Sequence, residues 1–119
     1  MGSRAENNTA HPLFSVLHIQ KQIEFYFSDA NLLTDKNLYK KIKQSQRSWV
    51  PITYLFQCRR IREIFKQHQI GIRARRKKIA KAVKNSDKLK VRDWKVKRKQ
   101  PFRLKREKAK MVYFETSKE

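Results

Sequence analysis

After Pro12, the apolar residues Phe14, Leu17, Ile19, Ile23, Tyr26 and Phe27 recur at roughly helical spacing, which predicts a first helix over residues 13–27. Pro12 suits the entry to such a helix, because its missing N–H would be unpaired there anyway. Ser28-Asp29-Ala30-Asn31 then breaks the pattern, since these short polar side chains compete with the helical backbone and favour turns. Thr34 is the expected N-cap of a second helix, which places Asp35 in its first turn, where negative charge is favoured. Leu38, Tyr39 and Ile42 give that helix an apolar side as far as Gln44.

Gln46-Arg47-Ser48 reads as a turn, and Trp49-Val50-Pro51-Ile52 as a short extended piece, because the residue before a proline avoids helical angles. Tyr54, Leu55, Cys58, Ile61 and Ile64 return to helical spacing and predict a third helix running to Phe65. Ile70-Gly71-Ile72 interrupts it. Residues 73–84 then form a strongly basic helix with Ile79, Ala80 and Val83 on its core side, ended by Asn85-Ser86-Asp87. Leu89, Val91, Trp94 and Val96 fall in short extended segments with Arg92-Asp93 as the turn between them, a two-stranded wing. Several helices followed by a hairpin, with a short strand at 49–51 to pair with it, is an α+β arrangement with the outline of a winged helix. Residues 97–110 read as a basic linker, and Met111-Val112-Tyr113-Phe114 as the beginning of another strand.

Charge changes the picture from a fold to a partner. The 119 residues carry a formal net charge of +21. Residues 73–110 hold 19 lysines and arginines against three acidic residues, a net of +16, so most of the excess sits in the C-terminal third. Such a field attracts polyanions, and nucleic acid is the commonest one. A membrane surface is the competing partner, disfavoured by the lack of a long apolar run, signal peptide or acylation motif. Cys58 is the one cysteine, so no internal disulfide can form and a reducing compartment is expected. One cysteine and three scattered histidines, His11, His18 and His68, do not make a zinc site, and no cofactor is expected. With two glycines, no glycine-rich phosphate loop and no nucleophile–base pair, an enzyme is the least favoured class.

The run from Gln22 to Asp35 carries the sharpest chemistry. It sets two adjacent aromatics, Phe25 and Tyr26, a glutamine and a carboxylate at the head of an otherwise basic chain. Charge-only binding does not need that cluster, which suggests a small pocket gripping one end or one base of a nucleic acid. Each residue also has an ordinary alternative. Asp35 can be a favourable charge at a helix start, Phe25 and Phe27 core, Gln22 a solvated helix residue, and Asn31 a turn-shaping residue. The dense group Arg73, Arg75, Arg76, Lys77 and Lys78 is either a solvated face or a set of phosphate contacts.

Gln22–Asp35, with its paired aromatics, Asp29, Asn31-Leu32 and Asp35 at the family spacing, resembles the signature of the La motif, the RNA-binding module of La and La-related proteins. Trp49-Val50-Pro51-Ile52 resembles the strand before that family's third core helix. Residues 79–86 resemble its last helix before the wing, and Val96-Lys97-Arg98-Lys99-Gln100-Pro101 its closing basic strand. The resemblance covers residues 11–101, after a tail over 1–10 expected to be disordered. Met1-Gly2-Ser3 reads as a remnant of cloning, and 102–119 as a basic linker leading into an RNA-recognition motif.

The resemblance implies an elaborated winged helix that holds the 3′ end of an RNA. In that role Asp35 would accept hydrogen bonds from both vicinal hydroxyls of a ribose, which distinguishes RNA from DNA and favours a free terminus. Gln22 would meet a uracil edge, and Tyr26 and Phe25 would offer stacking faces. Asn31 would support the pocket or its turn. The implied protein is a non-catalytic module for uridine-rich 3′ ends with a free hydroxyl, contributing to RNA stability or ribonucleoprotein assembly. It would be nuclear and monomeric by itself, with ribonucleoprotein proteins as further partners. The 97–101 ending and Val112-Tyr113-Phe114-Glu115 look most like the La-related group that chaperones polymerase III transcripts or telomerase RNA.

The chain departs from the family at four places. Asn37 and Cys58 stand where aromatics are usual, the threonine-threonine-aspartate step is absent, and residues 65–78 carry a basic insertion. Two readings therefore compete with the first. One is a basic winged helix using residues 73–84 on structured RNA or duplex DNA. The other is a structural ribonucleoprotein component with a vestigial pocket.

Overall fold

The computed structural model describes the backbone of residues 12–117 and the side chains of residues 16–110. The expected tail over 1–10 and the side chain of Phe14 lie outside them. Helix α1 spans Pro12–Tyr26 and sends Val16, Ile19 and Ile23 into the core, followed by Phe27 just past its end. Leu17, expected on the same face, is 54% exposed, because it falls on the other side of a helix whose buried stripe is set by Val16. Residues 28–32 do not form an open turn. Ser28 caps a single helical turn, α2 (Asp29–Leu32), by accepting the Asn31 N–H at 3.2 Å. Its last residue, Leu32, is buried.

Helix α3 covers Lys36–Gln44, and its N-cap is Asp35 rather than Thr34. Asp35 Oδ1 accepts the Leu38 N–H at 3.0 Å, while the Thr34 hydroxyl donates back to the Asn31 carbonyl. Residues 46–48 make one tight 3₁₀ turn, with Arg47 and Ser48 at φ of 53° and 67°. Strand β1 (Val50–Pro51) follows.

The expected third helix is two. Helix α4 (Ile52–Leu55) and α5 (Arg59–Gln67) are separated at residues 56–58, where successive N–H groups bond three residues back and Cys58 turns extended. The break lets Leu55 and Ile61 both reach the core. Gly71 precedes α6 (Ile72–Lys84), whose Ile79, Ala82 and Val83 are buried and whose Ala80 packs at the edge of the core.

Strands β2 (Leu89–Arg92) and β3 (Lys95–Arg98) form the wing, and β1 joins it in the antiparallel order β1-β3-β2. Val96 pairs with Val50 on one side and Val91 on the other. Pro51 is tolerated because β1 is an edge strand. The turn is Asp93-Trp94, not Arg92-Asp93, so Trp94 leaves the strand. Both turn residues have left-handed φ, 50° and 59°, as the two-residue hairpin turns that match strand twist require.

Strand β3 and helix α7 (Leu104–Ser117) each correct an expectation. Residues 97 and 98 belong to the wing rather than to a linker, and residues 111–114 continue a helix rather than start a strand. Lysine, arginine, glutamate and alanine dominate 104–110, and their helix preference carries the element onward.

One core holds these elements together. Helix α1 packs chiefly on α6 and α5, around Phe65, Ile19, Ile23 and Ile79. The sheet closes it with Val50, Leu89 and Val96. The fold is α+β, helices with a small three-stranded antiparallel wing.

Candidate RNA-binding site

The Asn31 amide links the two ends of the turn from α1 into α3. Asn31 Nδ2 donates to the Tyr26 carbonyl at 2.7 Å and reaches Asp35 Oδ2 at 3.4 Å. Asn31 thus ties the end of α1 to the head of α3 and orients the carboxylate. Because Asp35 spends Oδ1 on the helix cap, Oδ2 keeps most of its accepting capacity.

Tyr26 is half-buried, and its phenol oxygen accepts the Arg60 N–H at 3.0 Å. Burial, with the Asp35 charge adding, raises its pKa above the ordinary value despite that hydrogen bond and the Arg60 charge. Phe25 is 39% exposed, packs edge-on against Tyr26 at 5.7 Å and carries the Arg60 guanidinium over its face at 4.5 Å. It is a surface aromatic, not core. Phe27, by contrast, is core. Gln22 is half-buried, and its Oε1 is enclosed with no hydrogen-bond partner among the described residues.

Two residues join this group that the pattern along the chain did not mark. Burial raises the pKa of Tyr54 and Cys58 as it does that of Tyr26, and the Asp35 charge adds to each. Cys58 reaches about 11 and stays a neutral thiol. Tyr54 is half-buried beneath Lys41, whose Nζ lies 5.6 Å from the ring centroid. Tyr54 read as one more apolar helix position. It supplies an aromatic beside Cys58, where Cys58 itself offers none, whereas Asn37 is exposed and adds no ring. Arg60 was equally hidden, because its role is carried by its backbone N–H and by its reach across Phe25.

Glu24, on the same helix, serves the fold. Burial would raise its carboxyl, but hydrogen bonds from Ser86 at 2.6 Å and Gln20 at 3.1 Å, with the Lys88 and Lys21 charges, outweigh that and hold it below its ordinary value. Arg98 works the same way from the wing. It pairs with Asp29 at 2.7 Å and donates to the Phe27 carbonyl at 2.8 Å.

The basic cluster does not form one patch. Arg75 folds inward, donating to the Ile70 carbonyl at 3.2 Å with its guanidinium 5.0 Å over Phe65. Arg76 lies over Trp94 at the wing tip at 4.5 Å. Arg73 and Lys77 are exposed one turn apart, and Lys78 is half-buried.

A small helical body closed by a three-stranded antiparallel wing defines a winged-helix class. The La domain family model matches residues 19–85, more than half of the chain, and the chain belongs to the La domain family. It is 38% identical over 63 residues to a La-related protein 7 homolog of Euplotes aediculatus, covering 53% of this chain and 14% of that protein. It is 34% identical over 56 residues to La-related protein 6A of Arabidopsis thaliana, covering 47% and 13%. It is 42% identical over 43 residues to a La protein homolog of Drosophila melanogaster, covering 36% and 11%. The matches thus span a small part of each relative's length. No solved structure matched. Membership in this family supports an RNA-binding role. Among the described residues no helix is long and apolar enough to cross a membrane.

Proposed function

We propose that the chain is a non-catalytic module that grips the free 3′ end of a uridine-rich RNA, in the nucleus, and thereby contributes to RNA stability or ribonucleoprotein assembly. The observation that carries this is the divided use of Asp35. One oxygen caps α3, and the other is met by Asn31, whose amide also holds the carbonyl of Tyr26. A carboxylate so placed suits the two adjacent hydroxyls of a terminal ribose. The unpartnered Gln22 amide suits a uracil edge, and Tyr26, Phe25 and Tyr54 suit base stacking.

The test is a titration of one uridine-ended oligonucleotide with a free 3′ hydroxyl against the same strand ending in a 3′ phosphate. Tighter binding of the free end is expected. Equal binding would leave a basic protein that holds RNA by charge alone.

A further inference from the structure

We infer that the groove between α3 and the wing is a second binding site for single-stranded RNA, one that seats a base and its phosphate away from the 3′-end pocket. The groove measures about 330 Å³, within the size range of small-ligand sites. Its floor is apolar, with Phe27 and Ile42, and two half-buried rings line it. Tyr39 and Phe102 meet edge to face with centroids 5.9 Å apart. Lys43, Arg47 and Lys97 stand at its rim, and no acidic residue lines it.

The cations do not all have the same work. Arg98 also lines the groove, but it is held by Asp29, the Phe27 carbonyl and the Gln100 carbonyl while lying 5.4 Å from the Phe102 centroid. It builds the wall. Lys43, Arg47 and Lys97 have no ion pair with a carboxylate among the described residues. Lys97 shares the Trp49 ring with Lys90, its partner across β2 and β3, at 5.5 and 5.8 Å, which continues the basic aromatic surface across the wing.

Uncompensated positive charge around an aromatic floor selects a ligand that is flat, apolar on its faces and anionic at its edge. A nucleotide has that chemistry, and a single strand can present its base where a duplex cannot. The site is separate from the one proposed above. Lys41 turns toward Tyr54 while Tyr39 turns toward Phe102, so the body of α3 stands between the two. A strand of several nucleotides is needed to reach both, since a helix with its side chains is about 10 Å across. The inference holds whether or not the 3′ end is recognised.

The experiment compares a short uridine oligonucleotide with one lengthened at its 5′ end by a single-stranded segment, each with a free and a blocked 3′ end. The wild-type chain is expected to gain affinity from the extension with both kinds of end. Tyr39→Leu with Phe102→Leu, which keeps the apolar volume and removes the rings, is expected to cut that gain about fivefold or more and to leave the end preference unchanged. Lys43→Gln with Lys97→Gln leaves the core untouched, so it tests the site even if the ring variant unfolds. It is expected to flatten the log–log salt dependence for the long strand by about 0.7 per lost phosphate contact. A gain that survives both variants overturns the inference, as does an equal gain from a duplex extension. Loss of the gain in a protein with no end preference supports the groove and removes the 3′-end reading alone.

Discussion

The phenol oxygen of Tyr26 and the backbone N–H of Arg60, 34 residues apart, are joined by a 3.0 Å hydrogen bond. Cys58, the N-cap of α5, makes no side-chain cap bond of its own. The tyrosine on α1 therefore satisfies one of the free N–H groups at the head of α5, and the aromatic assigned to the proposed 3′-end site is also a structural clasp.

Tyr26→Phe should separate the two roles. It keeps the ring for stacking and loses the acceptor, so stability should fall by about 1 kcal/mol while affinity for a uridine-ended strand changes little. Denaturant unfolding and a binding titration on the same preparation check this. A large loss of affinity with unchanged stability would show that the hydroxyl contacts RNA.

Asp35→Asn is the cleanest probe of end recognition. Asparagine caps a helix as well as aspartate does, so α3 should keep its stability. The ribose hydroxyls lose a carboxylate acceptor worth about 1.5–3 kcal/mol, so the preference for a free 3′ end should drop roughly tenfold or more. Asp35→Ala should show the same loss and, in addition, about 1 kcal/mol of lost stability from the missing cap. An asparagine variant that retains the full preference would remove Asp35 from the pocket.

The Glu24–Ser86 bond should make stability depend on pH. The folded carboxyl sits below its ordinary value of 4.5. Its contribution is therefore present above that value and is lost as pH falls through the lower folded pKa. Glu24→Gln should cost about 1 kcal/mol at neutral pH, after allowance for its partial exposure. The gap from wild type should close in acid. Unfolding curves at neutral and acidic pH decide it. A gap that stays constant would assign the effect to shape rather than charge.

Arg75 and its neighbours should divide by function. Arg75→Gln should lower stability by about 1 kcal/mol, through the lost bond to the Ile70 carbonyl and the lost contact with Phe65, and leave the salt dependence of RNA binding unchanged. Arg73→Gln with Lys77→Gln should do the reverse, flattening the salt slope by about 0.7 for each phosphate contact. Identical behaviour of the two variants would mean that the cluster acts as one patch after all.

What the chain determined by itself is what repeats along it. Ile19, Ile23 and Phe27, and later Ile79 and Val83, are spaced for one face of a helix, and burial of that face needs no knowledge of what covers it. Val50 and Val96 were legible as strand residues, and they pair across β1 and β3. Gln22–Asp35 stood out because its residue types are unusual in so basic a chain, and the proposed 3′-end site rests on it. Only the tertiary structure decided the rest. The break at residues 56–58 is invisible to spacing, because Leu55 and Ile61 keep an apolar pattern across it. The hairpin turn moved by one residue because strand pairing, not turn propensity, fixed which two residues adopt left-handed angles. Tyr54 became a half-buried ring beneath Lys41, Arg75 a packing residue, and Ser86 the partner of a carboxylate 62 residues away. Each of these depends on which distant segments meet, and local periodicity carries no information about a hydrogen bond or ring contact that forms only after the core has closed.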